Sequence, residues 1–188
     1  MMIAWGTAKL SKNLRYRRAV LGSAAVAILA ALLVTAYIQT GYWKNSISLW
    51  AHTLACTSDN WLAHNNFGAA LATQGNLNEA IENFERAIQL KPDYADAYYN
   101  FGSAMANQEN WPEAIKHYTR TIQLKPDYIN AHYNLGIVLD IQGKTAEATP
   151  HFQQALNLAT DQKNTALAES IRTRLKSYPT ALPQSETR

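Results

Sequence analysis

One spacing constrains this chain more than any other feature: 34 residues. Gly68, Gly102 and Gly136 are each 34 apart, and so are Ala80, Ala114 and Ala148 and the aromatic column Phe84, Tyr118 and Phe152. Pro92 and Pro126 close the first two units at the same interval. A run of matched columns at one period means stacked units, each too small to bury a core alone. Within a unit, Gly lets a first helix approach a second and Ala lets the two cross tightly. Pro, which has no N–H, then forces the turn into the next unit. Asn110 followed by Trp111-Pro112 places a Pro in a first helical turn, where the missing donor costs nothing.

The units 61–94, 95–128 and 129–162 resemble the tetratricopeptide repeat (TPR) family. The family's aromatic, then Leu-Gly, then large residue stand here as His64, Phe67-Gly68, Leu71; Tyr98, Phe101-Gly102, Met105; and His132, Leu135-Gly136, Leu139. The implied fold is all-α, a TPR-type α-α solenoid of three repeats with a leading half-repeat and a C-terminal capping helix, behind one N-terminal transmembrane helix. The third unit departs from the pattern. Thr160 stands where the others carry Pro, and Pro150 lies inside the second helix, which is therefore expected to start late or bend. Leu167, Ile171 and Leu175 recur every four residues and predict a capping helix over 163–178, with a disordered tail at 179–188.

Ahead of the repeats, Ala19 to Ile38 is uncharged, and a helix of twenty residues rises about 30 Å, the thickness of a bilayer's hydrocarbon core. This predicts a transmembrane helix over 19–40. Lys9, Lys12, Arg15, Arg17 and Arg18 precede it, and Lys44 follows it. The positive-inside rule then makes residues 1–18 a basic cytoplasmic N-terminus and puts the repeats on the periplasmic, lumenal or extracellular side. A cleaved secretory signal is the alternative, with Val34-Thr35-Ala36 as a processing site. Tyr37, Tyr42 and Trp43 sit where amphipathic rings favour the headgroup zone. Ser23, Ala27 and Ala31 form a strip of small residues that would admit another transmembrane helix, or are simple apolar filler.

Stepping the same ruler backward sets Ser46 on the Ala80 column, Trp50 on the Phe84 column and Thr53 on the Ala87 column. Residues 41–60 therefore read as a membrane-proximal half-repeat helix, with Trp50 filling the open end of the first repeat. The order of a span, Gln39-Thr40-Gly41-Tyr42-Trp43-Lys44-Asn45-Ser46, Leu49-Trp50, Asn60-Trp61 and His64-Asn65-Asn66 resembles the C-terminal end of transmembrane and TPR-containing O-mannosyltransferase-like membrane proteins. That resemblance implies a second reading, a C-terminal non-catalytic fragment of a multi-span glycosyltransferase. The family's sugar-transfer acids belong to an early loop among many spans, so none is carried over to this chain.

Charge separates by segment. Residues 1–60 hold six Lys and Arg against one acid, 61–162 six against eleven, and 163–188 five against two. An acidic middle lacks the clustered cations that phosphate binding needs, which argues against a nucleic-acid partner. Cys56 is the single cysteine, so neither an intrachain disulfide nor a cysteine zinc site can form. His52, His64, His117, His132 and His151 show no metal-ligand spacing, and no catalytic constellation, metal or cofactor is expected.

Binding is expected instead, on the concave side that first helices line in a solenoid. Asn66, Asn100 and Asn134 fall in one column, with Asn65, Tyr99 and Tyr133 one residue before. Such amides both donate and accept, and the column resembles the asparagine ladder of nucleocytoplasmic N-acetylglucosamine transferases. It would grip the backbone of a peptide or partner protein, unless it is a polar helix surface without a ligand. Asp96, Asn130, Ser103, Asn107 and Asp140 would add polar contacts. The groove lacks the cations that clamp a C-terminal carboxylate, so that ligand class is disfavoured.

Overall fold

A computed structural model describes residues 2–177, with side chains from Leu21 onward, and the tail expected at 179–188 lies outside the described residues. The chain divides into two units, Met1–Leu49 and Trp50–Arg188.

The first unit is dominated by α1 (Met2–Tyr42), a helix of 41 residues. The expected span is part of this longer helix, which begins at Met2 and not at the first uncharged stretch. The preceding segment is free of Pro and rich in Ala, Leu, Lys and Arg, so nothing in it stops a helix. Ser23 to Thr40 are all exposed, with Leu33 at 71% and Tyr37 at 76%. A helix apolar all round has no polar face to turn to water, which is the pattern of a fully buried or bilayer-immersed helix. After α1, the Asn45 side chain accepts from the Ser48 N–H at 2.8 Å, and the Ser48 hydroxyl donates to the Tyr42 carbonyl at 3.1 Å. The Trp43-Lys44-Asn45-Ser46 stretch is thus an Asn-capped turn into α2 (Ser46–Cys56), which crosses the boundary between the units.

A helix does form within the proposed half-repeat, yet none of the residues in α2 is buried. Trp50 is part-exposed, whereas Phe84, Tyr118 and Phe152, on whose column it falls, are at most 2% exposed. Those three rings are covered by the glycine of their own first helix.

The second unit repeats its helices in step: α3 (Trp61–Thr73) and α4 (Leu77–Leu90), α5 (Ala95–Asn107) and α6 (Trp111–Leu124), α7 (Ile129–Ile141) and α8 (Thr145–Asp161), then α9 (Thr165–Lys176). Each first helix packs on its second, each pair on the next, and α3 also meets α5 as α5 meets α7. The glycine column explains the closeness. A Cβ at Gly68 would lie 2.7 Å from the Phe84 ring and 2.9 Å from the Ala80 carbonyl; at Gly102 it would lie 2.9 Å from Tyr118, and at Gly136 2.8 Å from Phe152. Ala80, Ala114 and Ala148 are fully buried at the crossings.

Proline sets the helix ends. Lys91 and Lys125, each before a Pro, take the same extended backbone, φ −141 with ψ 87 and 88, and α4 and α6 stop there. Without a Pro at Thr160, α8 runs on to Asp161, past the Leu158 that the 34-residue step from Leu124 would give. It closes on Lys163 at φ 57, with the Asn164 N–H reaching the Ala159 carbonyl at 2.8 Å, so α9 starts at Thr165 and not at 163. Pro150 does not delay α8, which begins on register at Thr145. Both Pro150 and Ala146, whose carbonyl loses its partner, are exposed, so water can replace the missing bond. Ala168 and Ile171 bury the inner face of α9 against the last repeat.

Candidate functional site: the concave face of the repeats

The first helices α3, α5 and α7 carry the asparagine column, and its amides are already at work. Asn100 Nδ2 donates to Asn65 Oδ1 at 2.9 Å, and Asn134 Nδ2 donates to the Tyr99 hydroxyl at 3.1 Å. Each amide thus reaches 35 residues back into the preceding repeat. Asn100 and Asn134 are first of all struts between repeats. Asn65 is 3% exposed and bonds Asn66 at 3.3 Å, so its place is inside the wall of the groove.

The aromatic column beside it is layered. Tyr99 lies 5.9 Å from Tyr118 and stacks on Tyr128 at 5.0 Å; Tyr133 meets Phe152 edge-on at 5.8 Å. Asp96, in the first turn of α5, sits beside the hydroxyls of Tyr94 and Tyr128. Burial and then this carboxylate push Tyr94 up to about 12, and the same two causes raise Tyr128. Asp140 is held by Arg174 of α9 at 3.4 Å and by the Thr145 hydroxyl at 3.5 Å, and Arg174 also lies over the Phe152 ring. The capping helix therefore neutralises the acid at the end of the groove. Asn130 is exposed near the start of α7.

Three of the expected residues converge. Ser103, Asn107 and Asn134 line a cleft of about 210 Å³ between the second and third repeats, together with Trp111, Tyr118, Ile137 and Ile141. Tyr118 is buried, donates to Ser103 Oγ at 3.2 Å and lies beside the Asn134 amide; burial raises its hydroxyl's pKa. Ile141 is 57% exposed at the rim. The apolar half of this cleft escaped the sequence reading. The signal was in the columns, where Ile137 and Ile141 replace Ala69 and Thr73 of the first repeat and Ser103 and Asn107 of the second.

A second cluster also escaped, because its members are 19 residues apart and meet only when two helices pair. His132 Nδ1 lies 3.4 Å from His151 Nδ1, and His132 Nε2 lies 3.0 Å from the Pro126 carbonyl. The carbonyl can only accept, so Nε2 carries the proton and His132 Nδ1 accepts from His151. The matching seams are His64 with Asn83 at 3.0 Å and Tyr98 with His117, ring centroids 6.1 Å apart. Among the described residues, no group of three His, Cys, Asp or Glu side chains is placed to hold a metal ion.

Known families converge on the same segment. A TPR repeat model matches residues 68–109 and a tetratricopeptide repeat model matches 93–161. Residues 68–161 are tetratricopeptide repeats. Both models begin after the Gln39 to Asn66 stretch on which the O-mannosyltransferase-like resemblance rests. Among curated proteins none matches the chain. Among solved structures, MamA is 23% identical with a TM-score of 0.58, over 73% of this chain and 87% of that one. The TPR2B domain of yeast Sti1, in a complex with pHsp70, is 20% identical with a TM-score of 0.60, over 63% and 95%. The Arabidopsis OM64 TPR domain is 22% identical with a TM-score of 0.56, over 62% and 93%. These likenesses establish a shared all-helical TPR fold.

Proposed function

We propose that this chain is a membrane-anchored TPR interaction module that holds a peptide or an extended segment of a partner protein on its concave face, on the non-cytoplasmic side. The observation that carries the binding half is the cleft, where Ser103, Asn107 and Asn134 meet Trp111, Ile137 and Ile141 in one concavity. A TPR domain caught with pHsp70, as in yeast Sti1, is the precedent for such a use of the fold. The anchoring half rests on Ser23–Tyr42, twenty residues of mean hydropathy 1.8 with none of the segment buried. The excess of Lys and Arg before it supplies the orientation.

Binding is tested by filling the cleft. Asn107→Trp in the membrane-inserted chain should abolish capture of any ligand that the wild type retains, and unchanged capture would move the site elsewhere. Orientation is tested by the unique and exposed Cys56. A membrane-impermeant maleimide should label it in intact cells, and labelling that appears only after lysis would reverse the topology.

A further inference from the structure

Resting on that reading of the concave face, we infer that the ligand is an uncharged, extended peptide segment that places one aliphatic side chain in the cleft between the second and third repeats.

Volume decides the size of what enters. Ligand pockets for whole small molecules run to about 300–1,000 Å³. The 210 Å³ cleft is smaller and suits a single side chain. Its apolar lining from Trp111, Ile137, Val138 and Ile141 selects an aliphatic one. Hydrogen bonding decides how the backbone is held. Asn100 and Asn134 each commit one of their two amide N–H donors to Asn65 or Tyr99, and their Oδ1 atoms can take the N–H groups of an extended chain.

Charge decides the rest. Each carboxylate on this face is already answered within the protein. Asp96 faces two tyrosine hydroxyls at a helix N-terminus, and Asp140 is paired with Arg174. The residues lining the cleft include no Lys, Arg, Asp or Glu. A charged side chain entering there would lose its hydration and gain no opposite charge, so a neutral surface selects a neutral segment.

The experiment uses the full chain in nanodiscs and fluorescent nine-residue peptides of Ser, Ala and Gly with amidated C-termini and a central Leu, Ala, Asp or Lys. The Leu peptide should bind about tenfold or more tighter than the Ala peptide, since three further buried carbons are at stake, and tighter than the Asp and Lys peptides, whose charges would lose hydration. Its affinity should change less than about twofold between 50 and 500 mM NaCl, because released counterions and paired charges play no part. Ile141→Asp, at an exposed position, should erase the preference for Leu. Tighter binding of the Asp or Lys peptide, or a steep salt dependence, would overturn the inference. If such a charged peptide bound and Asn107→Trp abolished its binding, the concave face would still be the binding site and only the neutral ligand would fall. If no peptide bound, both would fall. Leu-peptide binding that tightened on removing residues 178–188, or a dimer broken by Ile141→Asp, would assign the cleft to the chain's own C-terminal residues or to a second copy, and would equally overturn it.

Discussion

The second and third repeats share a scaffold column by column, yet differ wherever their chemistry is tested. Gly102 and Gly136 lie under Tyr118 and Phe152 at nearly the same separation, and Ala114 and Ala148 are equally buried. Around that constant frame, the second repeat has Pro112 at its helix start, a tyrosine–histidine seam and a glutamate in its inner turn. The third has Pro150 in mid-helix, a histidine–histidine seam and a glycine in that turn. The difference separates what the fold requires from what it tolerates. The cleft forms at this junction, from tolerated positions.

The largest expected difference between the two repeats comes from their prolines. Pro112 sits in the first turn of α6, where its N–H would have had no partner, so Pro112→Ala should change stability by less than about 0.5 kcal/mol. Pro150 sits inside α8, where a Pro costs about 3 kcal/mol relative to Ala in an ordinary helix interior. Pro150→Ala should therefore stabilise the repeats by about 2 kcal/mol, measured by urea unfolding of the full chain in detergent. Equal, small effects at both positions would show that α8 has already absorbed the defect.

Next come the glycines, where the two repeats should behave alike. A methyl group at Gly102 or Gly136 would have to displace a buried ring, and overpacking of this kind costs about 1–3 kcal/mol. Gly68→Ala should be the worst of the three, because a backbone carbonyl as well as a ring stands within 3 Å. A Gly68→Ala variant as stable as wild type would contradict the close helix approach on which the period rests.

The seams give a smaller, pH-dependent contrast. Burial lowers the pKa of both His117 and His151, with Lys116 also lowering the first and His132 the second. In the unfolded chain these groups bind protons near 6.5, whereas in the folded chain they resist them. Their stability contribution is therefore complete above about pH 6.5 and is lost as the pH falls below it. A glutamate softens the loss in each, Glu113 hydrogen-bonded to His117 at 3.5 Å and Glu147 acting on His151 by its charge alone, and His151 also faces another imidazole. His151→Asn, which copies the Asn83 seam of the first repeat, should flatten the fall in Tm between pH 7 and pH 5 more than His117→Asn does. The reverse order would give Glu113 no protective role.

How much of this was legible follows from the kind of interaction. The helix pairs and their 34-residue register were legible because they depend on residues repeated at fixed columns, such as Gly68, Ala80 and Phe84, and the capping helix because Leu167, Ile171 and Leu175 recur at helical spacing. The cleft was half legible. Ser103, Asn107 and Asn134 were found as polar positions on a helix face, but Ile137 and Ile141 look like core residues until the neighbouring helix is in place. The struts from Asn100 and Asn134 were hidden for a similar reason, since a column shows which residues align and not which atoms bond between units. The length of α8 was written in Thr160, as a missing stop signal whose consequence is three further helical residues.

The smallest contrast is the most local. Gly75, Glu109 and Gly143 occupy the same turn position at φ 83, 59 and 74, and each is followed by an N–H that closes on the carbonyl five residues back, at 2.9–3.0 Å. The turn geometry is thus fixed by its hydrogen bonds, and Glu109 adopts it at a steric cost of about 1 kcal/mol that glycine does not bear. Glycine has a cost of its own, about 0.5–1 kcal/mol of extra freedom lost on folding. The two nearly cancel, so Glu109→Gly should stabilise by no more than about 0.5 kcal/mol, and Gly143→Glu should destabilise by a similar amount. A gain well above 1 kcal/mol at Glu109 would mean that its side chain is strained beyond the backbone angle. Opposite signs at the two positions, with equal small size, are what a turn held by its hydrogen bonds and indifferent to its side chain requires.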